Sequence, residues 1–214
     1  MKVTIFGANG QIGQLLVKQA LDAGHEVTAY MRRMNALELQ HDKLQIVVGD
    51  ITDREKLREV IAGRDAVLSA LGPKISIKRS VSELPLADGH KAIISVMEDF
   101  GPKRLITLAT PAISAKEDVK QIATVLPGFM PKIFMPSAYA EMRGIEKLLK
   151  ATQLDWTVVR IIDPNAKTDG NGYAISFGDT KSKMSVSRYN AAKCMLDATL
   201  KDEWIHKMPI VFNK

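Results

Sequence analysis

The amino-acid sequence predicts an α/β fold, a doubly wound parallel sheet flanked by helices. Three observations carry that expectation. Strand-like and helix-like segments alternate along the chain. The early strand-like segments, residues 3–6, 26–30 and 44–48, are largely apolar runs without a strict polar alternation, the pattern of strands covered on both faces. Three glycines spaced three apart, Gly7, Gly10 and Gly13 of FGANGQIG, stand where the first strand gives way to the first helix. Right-handed crossovers between parallel strands complete the doubly wound arrangement.

The elements follow in order. Residues 3–6 (VTIF) are short, apolar and β-branched, and read as a buried strand. Residues 11–23 read as a helix with Ile12, Leu15, Leu16, Gln19 and Ala20 on one side, stopped by Gly24. Strands at 26–30 and 44–48 precede a helix at 53–62 and a strand at 66–71. A helix at 86–100, a strand at 104–109, a helix at 137–152 and a strand at 155–161 continue the alternation. A strand at 172–177, a helix at 187–200 and a strand at 209–212 complete it. Residues 123–136 break the pattern. Pro127, Gly128, Pro131 and Pro136 exclude a helix there, while Phe129, Met130, Phe134 and Met135 are too apolar for an idle loop. Two readings fit equally: a lid over an apolar ligand, or a loop packed on its own side chains.

The 214 residues suit a single domain spanning 1–214, with a small C-terminal substrate-side extension and substrate-side elements mainly at 111–136 and 161–186. With 46% hydrophobic and 25% charged residues the composition is that of a globular protein with a sizeable core. The single cysteine, Cys194, excludes an internal disulfide and a cysteine-based metal cluster, and reads as a buried apolar residue. The first residues run straight into the glycines without a leader pattern. No apolar run approaches the roughly 18 residues of a membrane span. A cytoplasmic protein with no membrane partner is the expectation. The net charge of +6 permits a nucleic-acid partner, but Lys and Arg are spread without dense runs or interleaved aromatics. A basic surface of this kind suits an anionic small molecule better.

The glycines have a chemical reading. Gly7 can make the tight turn out of the strand, Gly10 can let a pyrophosphate touch the backbone, and Gly13 can let the helix lie close on the sheet. The helix start then offers free N–H groups and a partial positive charge to phosphate. This is the Rossmann-type arrangement for a dinucleotide. At the end of the second strand, where an acid would bind the adenosine ribose, the chain reads Tyr30-Met31-Arg32-Arg33, with no carboxylate until Glu38. Two guanidiniums there can hold a 2′-phosphate, which predicts NADP(H) in preference to NAD(H). Asp50 and Ile51 end the third strand on the adenine side. Leu71 and Gly72 end the fourth, and Thr107 and Thr110 flank the end of the fifth. In an open α/β sheet all of these border one crevice.

The glycine spacing is similar to that of the extended and atypical short-chain dehydrogenase/reductases, and the chain resembles their NAD(P)H-binding, NmrA-like branch. Within it the resemblance is to the biliverdin-IXβ reductase/flavin reductase type. It rests on IFGANGQIG, AGHEVTAYMRR, VVGDITD, GRDAVLSALG, LITLATPAI and LLKATQLDWTVVRI, which together cover nearly the whole chain. The resemblance implies a phosphate loop of Gly7, Asn9, Gly10, Gln11, Ile12 and Gly13. It implies Arg32 as the 2′-phosphate residue, Asp50 and Ile51 at the adenine edge, and Leu71 and Gly72 beside the nicotinamide. Thr110 stands where such reductases have a serine, and Ile161, Ile162 and Asp163 stand in the turn that faces substrate.

The chain also departs from this superfamily. On the helix that follows the fifth strand, the Tyr-x-x-x-Lys pair that supplies a general acid is replaced by Tyr139-x-x-x-Arg143, and arginine cannot relay a proton. Tyr139 is therefore a candidate proton donor or a packing residue. Asp163 stands where the biliverdin-type reductases have a histidine. None of the four histidines, His25, His41, His90 and His206, falls at the carboxyl end of a predicted strand. Thr110 and Tyr139 are the candidate catalytic residues; Phe129, Met130, Ile162 and Asp163 are the candidate substrate contacts. Together these features predict an NADPH-dependent oxidoreductase whose small-molecule acceptor is flat, a flavin or a quinone. The alternative is a non-catalytic NADP(H) sensor of the NmrA type that binds a protein partner. An epimerase is disfavoured, because sugar-nucleotide enzymes need a larger C-terminal lobe.

Overall fold

The computed structural model describes residues 1–33, 39–73, 83–110, 113–115, 118–119, 135–167, 171–180, 182–183 and 185–214. The strands are β1 (Lys2–Phe6), β2 (Glu26–Met31), β3 (Leu44–Val48), β4 (Ala66–Ser69), β5 (Arg104–Ala109), β6 (Asp155–Ile161), β7 (Pro164–Asn165), β8 (Tyr173–Ser176), β9 (Val186–Ser187) and β10 (Ile210–Asn213). The helices are α1 (Gln11–Asp22), α2 (Arg54–Ile61), α3 (Pro85–Phe100), α4 (Pro136–Ala151) and α5 (Arg188–Ala198), followed by a short 3₁₀ turn at Asp202–Trp204. The doubly wound expectation holds. One eight-stranded sheet runs in the order β3-β2-β1-β4-β5-β6-β10-β8, parallel throughout except for β8, which is antiparallel to β10.

The period-two alternation of β1 divides the interior. Val3 and Ile5 face α1 and α5 in one core with Leu16, Val17 and Met195. Phe6 faces the other side, packed with Leu57, Ile61, Ile93, Met97 and Ile145 of α2, α3 and α4. Thr4 shares that face and survives burial because its hydroxyl donates to the Val60 carbonyl of α2. Gly24 adopts φ +81°, so α1 stops where the sequence places its stop. The buried arc of α1 is wider than expected. Val17 and Leu21 are fully covered, while Ile12 and Leu15 are only partly so, because α5 covers the flank of α1 as well as the sheet.

Two features depart from the expected elements. Pro136, read as part of an irregular segment, is the first residue of α4, a position where its missing N–H costs nothing. Residues 123–134 of the apolar segment, with Phe129 and Met130, lie outside the described residues. A two-stranded parallel sheet of β7 and β9 was not anticipated, because two-residue strands carry no periodicity.

Candidate functional site

The strand order reverses between β1 and β4, and parallel register brings the ends of the strands level. Phe6 pairs with Tyr30 on one side and with Ser69 on the other, Ser69 pairs with Thr107, and Ala109 pairs with Arg160. The residues that follow, Gly7, Arg32, Leu71, Thr110 and Ile162, therefore border one crevice at the switch point, the usual ligand position in such sheets.

The three glycines prove to have two different reasons. Gly7 has φ +75°, and a Cβ on it would lie 2.9 Å from the backbone of Ala70 and Leu71. A Cβ on Gly13 would lie 2.0 Å from the Gly7 carbonyl oxygen, so α1 rests directly on the turn it leaves. Both are demanded by the fold. Gly10 is different: its φ of −77° is open to any residue, and a Cβ would meet only the Gly7 oxygen at 3.3 Å. Gly10 is also the N-cap of α1 and supplies no side-chain cap, and the first turn of α1 carries no acid. By contrast Asp53 caps α2, Ser187 caps α5, and Glu141 accepts from Leu86 N and Ala87 N at the start of α3. The α1 terminus keeps its N–H groups and positive end facing outward, and the residues fit a dinucleotide pyrophosphate. Asn9 and Gln11 are exposed beside it and Ile12 is half-buried. The Gln14 amide donates to the Asn9 carbonyl and braces the loop.

Arg32 and Arg33 are exposed beyond β2, and neither forms an ion pair among the described residues. Asp50 lies nearby. Its carboxylate accepts from the Thr52 hydroxyl at 2.6 Å and the Thr52 N–H at 2.9 Å, which hold it below the usual carboxylate range, with Arg32 adding to the effect. The Asp50 carbonyl accepts from the Tyr30 hydroxyl at 2.7 Å, and burial pushes that phenol up to about 12. Both ends of Asp50 thus shape the turn after β3. Ile51 packs on α3, where a Cβ on Gly89 would approach it to 2.8 Å. Leu71 is half-buried. Gly72 is exposed and meets no described neighbour that requires a glycine.

On the far side of the crevice Thr110 is half-buried, and its carbonyl accepts from Ile113 N. Ile162 is buried, and Asp163 holds φ +40°, a left-handed conformation uncommon outside glycine and found where the surroundings impose it. Tyr139 packs partly buried on the second core, in the first turn of α4. Arg143 is committed elsewhere: it pairs with the buried carboxylate of Glu146, which Lys150 also holds at 2.5 Å. The Tyr139/Arg143 spacing therefore does not place the arginine charge at the phenol in the way a Tyr-Lys pair would.

Sequence reasoning set aside all four histidines, yet His90 of α3 is buried against Ser69, which ends β4, and Thr107 of β5. Its Nδ1–H donates to the Leu86 carbonyl at 2.9 Å, so Nε2 accepts from the Ser69 hydroxyl at 3.0 Å and the Thr107 hydroxyl at 3.3 Å. Burial lowers its pKa and keeps it neutral. Its position one helical turn after Leu86 was the only signal available, and strand-end logic does not look at helices.

A parallel sheet with a bare glycine turn at its switch point and an outward-facing helix start defines a dinucleotide-binding Rossmann protein. The chain belongs to the NAD(P)H-binding family, whose model matches residues 7–202. It is 28% identical over 174 residues to the uncharacterized protein YwnB of Bacillus subtilis, covering 80% of this chain and 78% of that one. It is 25% identical over 162 residues to the photosystem II assembly factor Ycf39 of Synechocystis, covering 75% of this chain but 44% of that one. A 3-beta-hydroxysteroid dehydrogenase of Mycolicibacterium neoaurum is 29% identical over 120 residues, 52% of this chain and 32% of that enzyme. Among solved structures, a short-chain dehydrogenase/reductase of Veillonella parvula in complex with NADP has TM-score 0.80 at 18% identity, covering 99% of this chain and 94% of that one. A candidate NADH-flavin reductase of Streptococcus pneumoniae has TM-score 0.75 at 24% identity, with both chains fully covered. The fold is that of NAD(P)-binding oxidoreductases. No helix among the described residues is long and apolar enough to cross a membrane.

Proposed function

We propose that this chain is an NADPH-dependent reductase that delivers hydride to a flat acceptor, a flavin or a quinone. The observation that carries the reading is the pairing of an uncapped α1 terminus at Gly10 with two exposed guanidiniums, Arg32 and Arg33, at the end of β2. The N–H groups of Gln11, Ile12 and Gly13 would hold the pyrophosphate, and Arg32 the 2′-phosphate. NADPH held there would supply the hydride, and with one proton from water the acceptor would be reduced by two electrons, leaving NADP⁺. Arg143 is paired with Glu146 instead of serving Tyr139, so the chain contributes binding and orientation more than a proton. Flavins and quinones suit such a site because solvent can protonate them. Leu71, Gly72 and Thr110 would orient the nicotinamide, with Ile162 and Asp163 bordering the acceptor.

A second reading is a non-catalytic NADP(H) sensor that binds a protein partner. The commitment of Arg143 to Glu146, away from Tyr139, favours it, as does the likeness to a relative named as an assembly factor. Nicotinamide absorbance decides between them. Consumption of NADPH with FMN or a quinone, faster than of NADH, is the expected result; tight NADPH binding with no consumption by any acceptor selects the sensor. Arg32→Ala should weaken NADPH by about 1.5–3 kcal/mol, the value of a charge-assisted contact, and leave NADH almost unchanged. Equal losses for the two cofactors would remove Arg32 from the 2′-phosphate.

A further inference from the structure

Arg160, in β6, is among the largest fully buried side chains of the molecule and is charged. It forks onto Asp118, with Nη1 donating to Oδ2 at 2.5 Å and Nη2 to Oδ1 at 2.7 Å. Its Nε donates to the Met208 carbonyl at 2.8 Å and Nη1 also to the Ile113 carbonyl at 3.3 Å. The side chains of the pair are 1% and 12% exposed, whereas every other ion pair among the described residues has a partner largely open to solvent.

Desolvation makes a buried pair of this kind a poor means of stabilising a fold; apolar residues of equal volume serve as well. What a two-pronged pair adds is fixed distance and direction. Here it fixes the acceptor side of the crevice. Asp118 also accepts from Ala115 N at 2.8 Å. Val119 N donates to the Gly178 carbonyl, and a Cβ on Gly178 would lie 2.4 Å from the Asp118 carboxylate, so the 176–180 turn closes directly over the pair. Ile113 is tied in turn to the Thr110 carbonyl. Two residues after Arg160 the backbone enters the turn that holds Asp163 in its left-handed conformation.

We propose that Arg160 and Asp118 are positioning residues that set the acceptor wall, residues 113–115 and 118–119 with the 176–180 turn, against Thr110. Neither touches the cofactor cradle at Gly7–Gly13, so the pair governs acceptor affinity and not NADPH affinity. The identity of the acceptor rests on the reductase reading. The test is FMN binding followed by its fluorescence in the presence of NADP⁺, where no turnover occurs, together with NADPH binding and steady-state kinetics. Two variants are compared with the parent chain: Asp118→Asn, which keeps the shape, and the double variant Arg160→Met/Asp118→Leu, which removes both charges. In each the FMN Kd and KM should rise about tenfold or more, with kcat and the NADPH Kd changed by no more than about twofold. An unchanged FMN Kd in a folded variant overturns the proposal, as do parallel losses for FMN and NADPH. So does failure of both variants to fold, or a parent chain that binds no FMN. A parent chain that binds FMN without reducing it removes the reductase reading alone, and the shift in FMN Kd still supports the positioning pair.

Discussion

The glycine turn shows how one motif divides its labour among residues. Gly13 meets the Gly7 carbonyl so closely that Gly13→Ala should lower stability by about 3 kcal/mol or more, well beyond the roughly 1 kcal/mol that alanine returns through helix propensity. Gly10→Ser should behave in the opposite way. Serine is a favoured N-cap at its extended backbone, so stability stays within about 1 kcal/mol of the parent, while its hydroxyl takes the N–H groups meant for phosphate. Urea unfolding and NADPH titration of both variants check the contrast; a Gly10→Ser chain that binds NADPH normally would show that the α1 start is not the phosphate site. All three glycines were legible as a motif in the sequence. Their separate roles were read there too; the contact that enforces Gly13 was not, because it depends on the Gly7 carbonyl oxygen brought back under the helix by the turn itself. Asp50 was read from its place at a strand end, and its capture by Thr52 two residues on is an Asx turn that strand-end logic passes over.

At the scale of elements, the strands and helices of the main sheet followed from apolar runs and 3.6-residue periodicity, with boundaries displaced by only a residue or two, because both faces of the sheet are covered and burial writes itself into the pattern. What periodicity cannot show is how one helix serves another. Glu141 of α4 is nearly buried and accepts from Leu86 N at 3.1 Å and Ala87 N at 2.8 Å, acting as the missing cap of α3, whose own N-cap is Leu84. Glu141→Ala should therefore destabilise the protein by about 1–3 kcal/mol by leaving two N–H groups without partners, and Glu141→Gln by less, since its amide oxygen still accepts. Thermal unfolding of the pair checks this; equal losses would mean that packing matters at this site and capping does not.

At the scale of the whole molecule, the sheet contributes to both cores, and buried His90 joins α3 to β4 and β5 through Leu86, Ser69 and Thr107. Its folded pKa is lowered by burial, below the 6.5 of a free histidine. Above that value His90 is neutral in folded and unfolded chains alike, and the folded state keeps its full stability. As pH falls below it the unfolded chain takes up a proton that the folded chain refuses, so stability drops, by at most about 1.4 kcal/mol per pH unit for one proton. His25, lowered by partial burial and by the adjacent N-terminal ammonium, acts in the same direction. Urea midpoints should fall as pH is lowered below 6.5, and His90→Gln should flatten that fall without abolishing it; an unaltered pH slope would show that His90 is not the responsible group.

The contrast between Gly10 and its two neighbours also has a meaning across descent. A lineage of this chain that ceased to use a nucleotide would still be compelled to retain Gly7 and Gly13, because without them the first strand and first helix no longer meet. Only Gly10 would be released to drift. An intact pair of outer glycines therefore testifies to ancestry, and the middle one to current employment.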